Sequence, residues 1–214
     1  MLKVIFSGFL TAFIVNSAFC QERAEFDDVD AFVKSLKEAS VRIYADGDLI
    51  GKGRKDWAGG IVSKDENGEE NIQLYILEKL ASGKYSVAEQ SASRQAFGGT
   101  GNFGYEELKI ADRNLFVVFS YQWHACAGNA TSQFKLRKNN WQMIGVESFE
   151  LNHSDGSGIE VSSSTNLVTG NALVKRERNG KLNVSRFKVQ PKLFLFKNYN
   201  GEGSISMHEK KRLC

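Results

Sequence analysis

From Leu108 to Leu151 the chain follows a period of two, and that period decides what it can fold into. In Thr131–Arg137 the small and apolar residues Ser132, Phe134 and Leu136 alternate with Gln133, Lys135 and Arg137. This is the pattern of a strand with one face in a core and the other in water. Leu115-Phe116-Val117-Val118-Phe119 is apolar on both sides, which predicts a strand lying centrally in its sheet. Asp112-Arg113-Asn114 separates Glu106–Ile110 from Leu115–Tyr121, and Lys138-Asn139-Asn140 separates Thr131–Arg137 from Trp141–Leu151. Both clusters carry turn chemistry, so the flanking segments are expected to pair antiparallel.

A chain of 214 residues, 42% hydrophobic, with fifteen Phe and three Trp, has material for one substantial core. One domain is therefore expected. The formal charge is only +3 and the basic residues are scattered, so the electrostatic footprint of a nucleic-acid binder is missing.

At the N-terminus Lys3 precedes an apolar run, Val4 to Val15, broken by Ser7, Gly8 and Thr11; Ala18-Phe19-Cys20 then stands before Gln21. A positive start, a short apolar run and small residues at the last and third-last positions make a secretory signal peptide over residues 1–20. The run is shorter than the about 20 apolar residues that a spanning helix needs, so no integral membrane segment is expected after cleavage. A lipoprotein reading, with Cys20 acylated, is disfavoured by the bulk of Phe19 and stays open beside it. Loss of residues 1–20 reduces the cysteines from three to two, Cys126 and Cys214. In a compartment outside the cytoplasm these are expected to pair. The closed loop of about ninety residues would stabilise the fold by about 4 to 5 kcal/mol. Two free thiols are the alternative.

After Gln21, Asp27-Asp28 precede Val29, Phe32, Val33 and Leu36 at i, i+3, i+4 and i+7. The stripe predicts an amphipathic helix packed on the sheet, with the acidic pair at its N-terminus. Val41–Tyr44, Trp57–Val62, Asn71–Leu80 and Lys84–Val87 read as strands, with turns at Lys64–Glu69 and Ser82-Gly83. Asp48-Leu49-x-Gly51-x-Gly53-x-x-Asp56-Trp57-Ala58 resembles the calcium loop of secreted FG-GAP or VCBS-type repeat proteins. That resemblance implies calcium held between two strands, with Asp46, Asp48 and Asp56 as its ligands. A calcium ion takes six to eight hard oxygens, whereas Ile50 and Lys52 fill the loop's third and fifth places. The expectation is that the Lys52 ammonium stands in for the cation. The order of features from Asp48 to Ser164-Thr165-Asn166-Leu167-x-Thr169-Gly170 also resembles a group of secreted bacterial proteins of uncharacterised role, which implies a secreted β-rich domain and no reaction.

Gly99, Gly101 and Gly104 form a G-x-G-x-x-G. A dinucleotide site needs a helix after that motif, and Tyr105–Ile110 reads as a strand. Gly98–Gly104 is expected instead to be an edge loop able to line a binding site. Gln122–Asn129 is the chemically densest loop, with Trp123, His124 and Cys126 close together. No H-E-x-x-H, C-x-x-C or G-x-S-x-G pattern accompanies them, and a disulfide-bonded Cys126 is no nucleophile. Further on, Ile159–Ser163, Asn171–Glu177 and Lys181–Val189 read as strands. Arg178-Asn179-Gly180 forms a hairpin turn, a change of apolar phase suggests a bulge near Ser185, and Lys192–Phe196 forms a final segment.

The sequence thus predicts a mainly β chain with an α+β margin: an antiparallel meander sheet, twisted or rolled, of about nine to eleven strands with one N-terminal amphipathic helix. Residues 21–214 form its single domain. The expected function is non-enzymatic binding in the periplasm or outside the cell, without cofactor, to a glycan or protein partner. Tyr121, Trp123, His124, Gly99, Gly101, Asn102 and Phe103 would form the site. The alternative is a periplasmic inhibitor or immunity protein blocking a toxin or cell-wall enzyme through the same loops. A hydrolase organised on His124, Asp155 and a serine is the third possibility.

Overall fold

The structure is a computed structural model, described over residues 24–96, 102–123, 126–152 and 158–201. Asn102, Phe103 and Trp123 are placed through their backbone alone. The chain is mainly β, built of two antiparallel sheets, neither closed into a barrel.

The first sheet follows the order β1 (Glu25–Phe26), β5 (Tyr85–Gln90), β4 (Glu70–Lys79), β3 (Asp56–Lys64), β2 (Ser40–Gly47), with β6 (Arg94–Gln95) also paired to β4. Its middle strands are buried on both faces. Ala58, Ile72, Leu74 and Ile76 point into the main core, whereas Trp57, Ile61, Tyr75 and Leu77 form a second cluster on the opposite side. Helix α1 (Val29–Ser35) covers that second cluster by inserting Phe32 edge-on against Tyr75. The predicted stripe is there, and the Asp28 carboxylate accepts from the Ala31 N–H at 2.7 Å as the N-cap. Trp57 lies flat along its own strand because Gly59 has no side chain: a Cβ there would fall 1.9 Å from the indole.

The second sheet is an uninterrupted meander: β7 (Asn102–Ala111), β8 (Asn114–Trp123), β9 (Cys126–Arg137), β10 (Asn140–Asn152), β11 (Ile159–Asn166), β12 (Asn171–Arg178) and β13 (Lys181–Lys188). One end of its inner face packs on the first sheet through Leu108, Leu115, Val117, Phe119, Phe134 and Trp141. After β13 the chain crosses back over this face. Phe196, which opens the 3-10 turn Phe196–Asn198, and the following Tyr199 are fully buried, with both rings packed on Phe134 at 5.1 and 5.0 Å between centroids. Strand and turn chemistry closes the remaining ends. Three hairpins have two-residue turns with positive φ: Asp112-Arg113, Lys138-Asn139 and Asn179-Gly180.

Several expectations need correcting. There are two sheets rather than one, and thirteen strands among the described residues, two of them only two residues long. β8 is second from an edge, not central: Leu115, Val117 and Phe119 face the core while Phe116 and Val118 are half-exposed. Asn114 and Asn140 belong to strands, where each side-chain amide donates back to a turn carbonyl, at 2.8 Å to Asp112 and 3.0 Å to Lys138. No bulge occurs at Ser185, because β12 and β13 stay in register from Asn171 opposite Lys188 to Arg178 opposite Lys181. β13 is exposed along almost its whole length, so the Asn179-Gly180 turn sets its register and its apolar phase carries no weight. In the final segment Lys192–Phe196, Leu195 forms an isolated bridge to Gln142.

Candidate functional site

The Asp48–Asp56 loop is a closed structural unit. Asp56 opens β3, is 2% exposed, and accepts three backbone N–H groups: Leu49 and Ile50 on Oδ2 at 3.0 and 2.8 Å, and Lys79 on Oδ1 at 3.0 Å. Asp48 Oδ1 accepts from the Gly51 N–H at 2.8 Å. Asp46 lies on β2 and is ion-paired with Lys55, whose ammonium is held above its usual range mainly by that hydrogen bond. Lys52 does not enter the loop; its Nζ meets Glu78 at 2.6 Å. The positive ends of backbone amides supply what a cation or ammonium was expected to supply. A calcium ion does not fit, because N–H donors converge on the carboxylate that would have to ligate it. Among the described residues no three His, Cys, Asp or Glu side chains are grouped for a metal.

Of the predicted binding residues, Asn102, Phe103, Tyr121 and Trp123 lie at one end of the second sheet. Phe103 pairs with Tyr121, Asn102 with Gln122, and Trp123 with Cys126. What was expected to be a loop is mostly strand, since β8 runs to Trp123 and β9 starts at Cys126. Tyr121 is therefore not displayed: it is 8% exposed, on the inner face, with its hydroxyl filling the space a side chain at Gly128 would need. Cys126 is buried. Gly99, Gly101, His124, Asp155, Cys20 and Cys214 lie outside the described residues.

The outer face of the second sheet is the surface that sequence reasoning missed. Strand registers align side chains into rows running across the meander. One row is Val118–Thr131–Glu147–Ser164–Leu173; the next is Ser120–Asn129–Phe149–Ser162–Lys175. Three adjoining clefts lie along these rows, of about 250, 340 and 470 Å³. The first two share Thr131, Glu147 and Ser164, and the last two share Asn129 and Phe149, so they form one trough. A bulge between Met143 and Gly145 and the missing side chain at Gly145 deepen one end beside Gln133. Phe149 is 38% exposed. The signal was in the wet half of each alternating pattern: around Glu147 and Lys175, the residues Asn129, Thr131, Gln133, Ser162, Ser164 and Asn166 are uncharged, where a merely solvated face usually carries more Lys and Glu.

Compared with known proteins, the chain matches no family model, no curated protein and no solved structure.

Proposed function

We propose that the chain is a non-enzymatic binding protein of the periplasm or extracellular space, and that its binding surface is the outer face of the second sheet rather than the hairpin tip at Trp123. The observation that carries this is the trough across β8 to β12, floored mostly by uncharged hydrogen-bonding side chains, with Glu147 and Lys175 among them, around the exposed Phe149 ring. Concave surfaces with an apolar anchor and a few convergent polar groups are where small ligands and partner segments bind. Each β-strand there keeps its core side chains on the opposite face, so the surface is rigid before anything binds.

Export rests on the signal-peptide pattern of residues 1–20, and a compartment outside the cytoplasm would let Cys126 pair. The favoured partner for Cys126 is Cys214. Gly201 sits against the Phe119 ring, where a Cβ would come within 2.5 Å of it. Phe119 lies four residues along β8 from Trp123, the strand partner of Cys126. That is about 13 Å, and the thirteen residues 202–214 extend to about 40 Å. Non-reducing peptide mapping of the secreted protein tests the pairing: a Cys126–Cys214 peptide is expected, and a Cys20-linked one refutes it.

The surface is tested by retention from envelope and culture fractions on immobilised wild-type protein and on Phe149→Ala. Material held by the wild type and lost by the variant supports the assignment. Equal retention by both overturns it.

A further inference from the structure

We infer that the trough takes a neutral, hydroxyl-rich ligand, an oligosaccharide segment lying across the strands with one sugar ring on Phe149; this rests on the outer face being the binding surface. Hydrogen-bonding side chains recur from strand to strand along each row, at the strand spacing of about 4.8 Å. A chain lying across the meander therefore meets Ser120, Asn129 and, beyond Phe149, Ser162 in one row, and Thr131, Glu147 and Ser164 in the next. Hydroxyls and carboxamides both donate and accept. A ligand that satisfies such a floor has to do both at closely repeated positions, as alcohols do.

Other polymers fit worse. A polyanion only accepts and needs cations, but the linings of the three clefts include one, Lys175, against the carboxylates of Glu147 and Glu106. An extended peptide draws its affinity from main-chain pairing at a sheet edge, and the trough lies on a face whose backbone is already paired on both sides. Phe149 supplies the remaining element. Its ring stands in the row between Asn129 and Ser162, belongs to two of the clefts, and offers flat apolar surface to the C–H face of a sugar. Gly145 shapes the far end: a Cβ there would press on Gln133 Oε1 at 3.2 Å, so any larger side chain fills the cleft without removing a hydrogen-bonding group.

The test is affinity electrophoresis of the purified protein in native gels holding soluble neutral polysaccharides in turn: a β-1,4-glucan, a β-1,3-glucan, an α-1,4-glucan, a mannan and a glycol chitin. Calorimetry follows with the hexasaccharide of any that retards it. Retardation by at least one is expected. Phe149→Ala is expected to weaken the calorimetric Kd at least ten-fold and Gly145→Val at least five-fold, while Leu182→Ala, exposed on β13 outside the trough, leaves it unchanged. Circular dichroism confirms that each variant is folded. Retardation by none of the five, or binding that survives both trough variants, overturns the inference. So does a polypeptide captured through Phe149 with no polysaccharide bound, which leaves the surface assigned and only the ligand class wrong. Capture of anything by a Phe149-independent route removes the surface assignment itself.

Discussion

Asp56→Ala removes a carboxylate that three amides depend on. In the wild type each of the Leu49, Ile50 and Lys79 N–H groups is satisfied by Asp56 alone of the side chains, at 2.8 to 3.0 Å, in a site where Leu49 and Asp56 are almost fully buried. A hydrogen bond to a charged group contributes about 1.5 to 3 kcal/mol, and a buried donor left unmet costs about 1 to 3 kcal/mol. Three such losses, reduced by water entering and the loop relaxing, put the substitution at about 4 kcal/mol. That is a large share of the about 5 to 15 kcal/mol by which domains are usually stable. Asp56→Asn separates the contributions. Its one carbonyl can keep the Leu49 and Ile50 donors, but its NH2 then opposes the Lys79 N–H, so about half the loss is expected. Urea unfolding followed by tryptophan fluorescence measures both, with the slope m checked for constancy. An Asp56→Ala loss below about 1 kcal/mol, or an Asn variant less stable than Ala, would refute the account. Millimolar calcium should leave the wild-type midpoint where EDTA leaves it, because the loop closes on amide donors; a rise with calcium would restore the metal reading.

Ser132 is fully buried between the sheets and its hydroxyl has no hydrogen-bond partner, so Ser132→Ala is expected to stabilise the fold by about 1 kcal/mol, read as a raised urea midpoint. Phe196→Ala empties a site in the main core against Phe134 and should cost about 3 to 5 kcal/mol, with the heat-denaturation midpoint falling accordingly. Burial raises the Tyr75 phenol above its ordinary 10.0. Below that pH both states hold the proton and stability is undiminished; above it the unfolded chain releases the proton first, so stability falls as pH climbs towards the folded value. Tyr75→Phe is expected to flatten that alkaline fall, and an unchanged slope of unfolding free energy against pH would show that Tyr75 does not contribute to it.

The parts of the fold that could be read beforehand are those where one local pattern had one physical outcome. Asp28 followed by the Val29, Phe32 and Val33 stripe could only cap and bury a helix, and it does. The alternation through Thr131–Arg137 set a core face, and Phe134 on that face is fully buried. What failed depended on distant partners. Tyr121 and Trp123 looked like loop aromatics because nothing local shows that β8 and β9 continue to a hairpin tip. The existence of a second sheet under Leu115–Phe119 was likewise invisible, since a strand apolar on both faces does not say what covers each face. Lys52 was expected inside its loop because sequence spacing cannot show Glu78 arriving from β4 at 2.6 Å.

The trough escaped notice for a different reason, and that reason bears on whether it binds anything. The first sheet is covered twice, by α1 on one side and by the second sheet on the other, so the side chains of Asp56–Ile61 on β3 and Leu74–Leu77 on β4 are committed to packing on both faces. The second sheet is covered once. Because its strands alternate, the residues facing out on β8 to β12 are the sequence neighbours of core residues yet share no contacts with the core they flank. Substitution at Asn129, Gln133 or Phe149 should therefore shift stability by no more than about 0.5 kcal/mol, the range of ordinary surface changes. If those positions were there for packing, their removal would cost what Phe196→Ala costs. If they are there for recognition, the fold should be indifferent to them while binding is not. Measuring unfolding and binding on the same Phe149→Ala preparation separates the two, and a loss of stability above about 2 kcal/mol would return Phe149 to the structural framework.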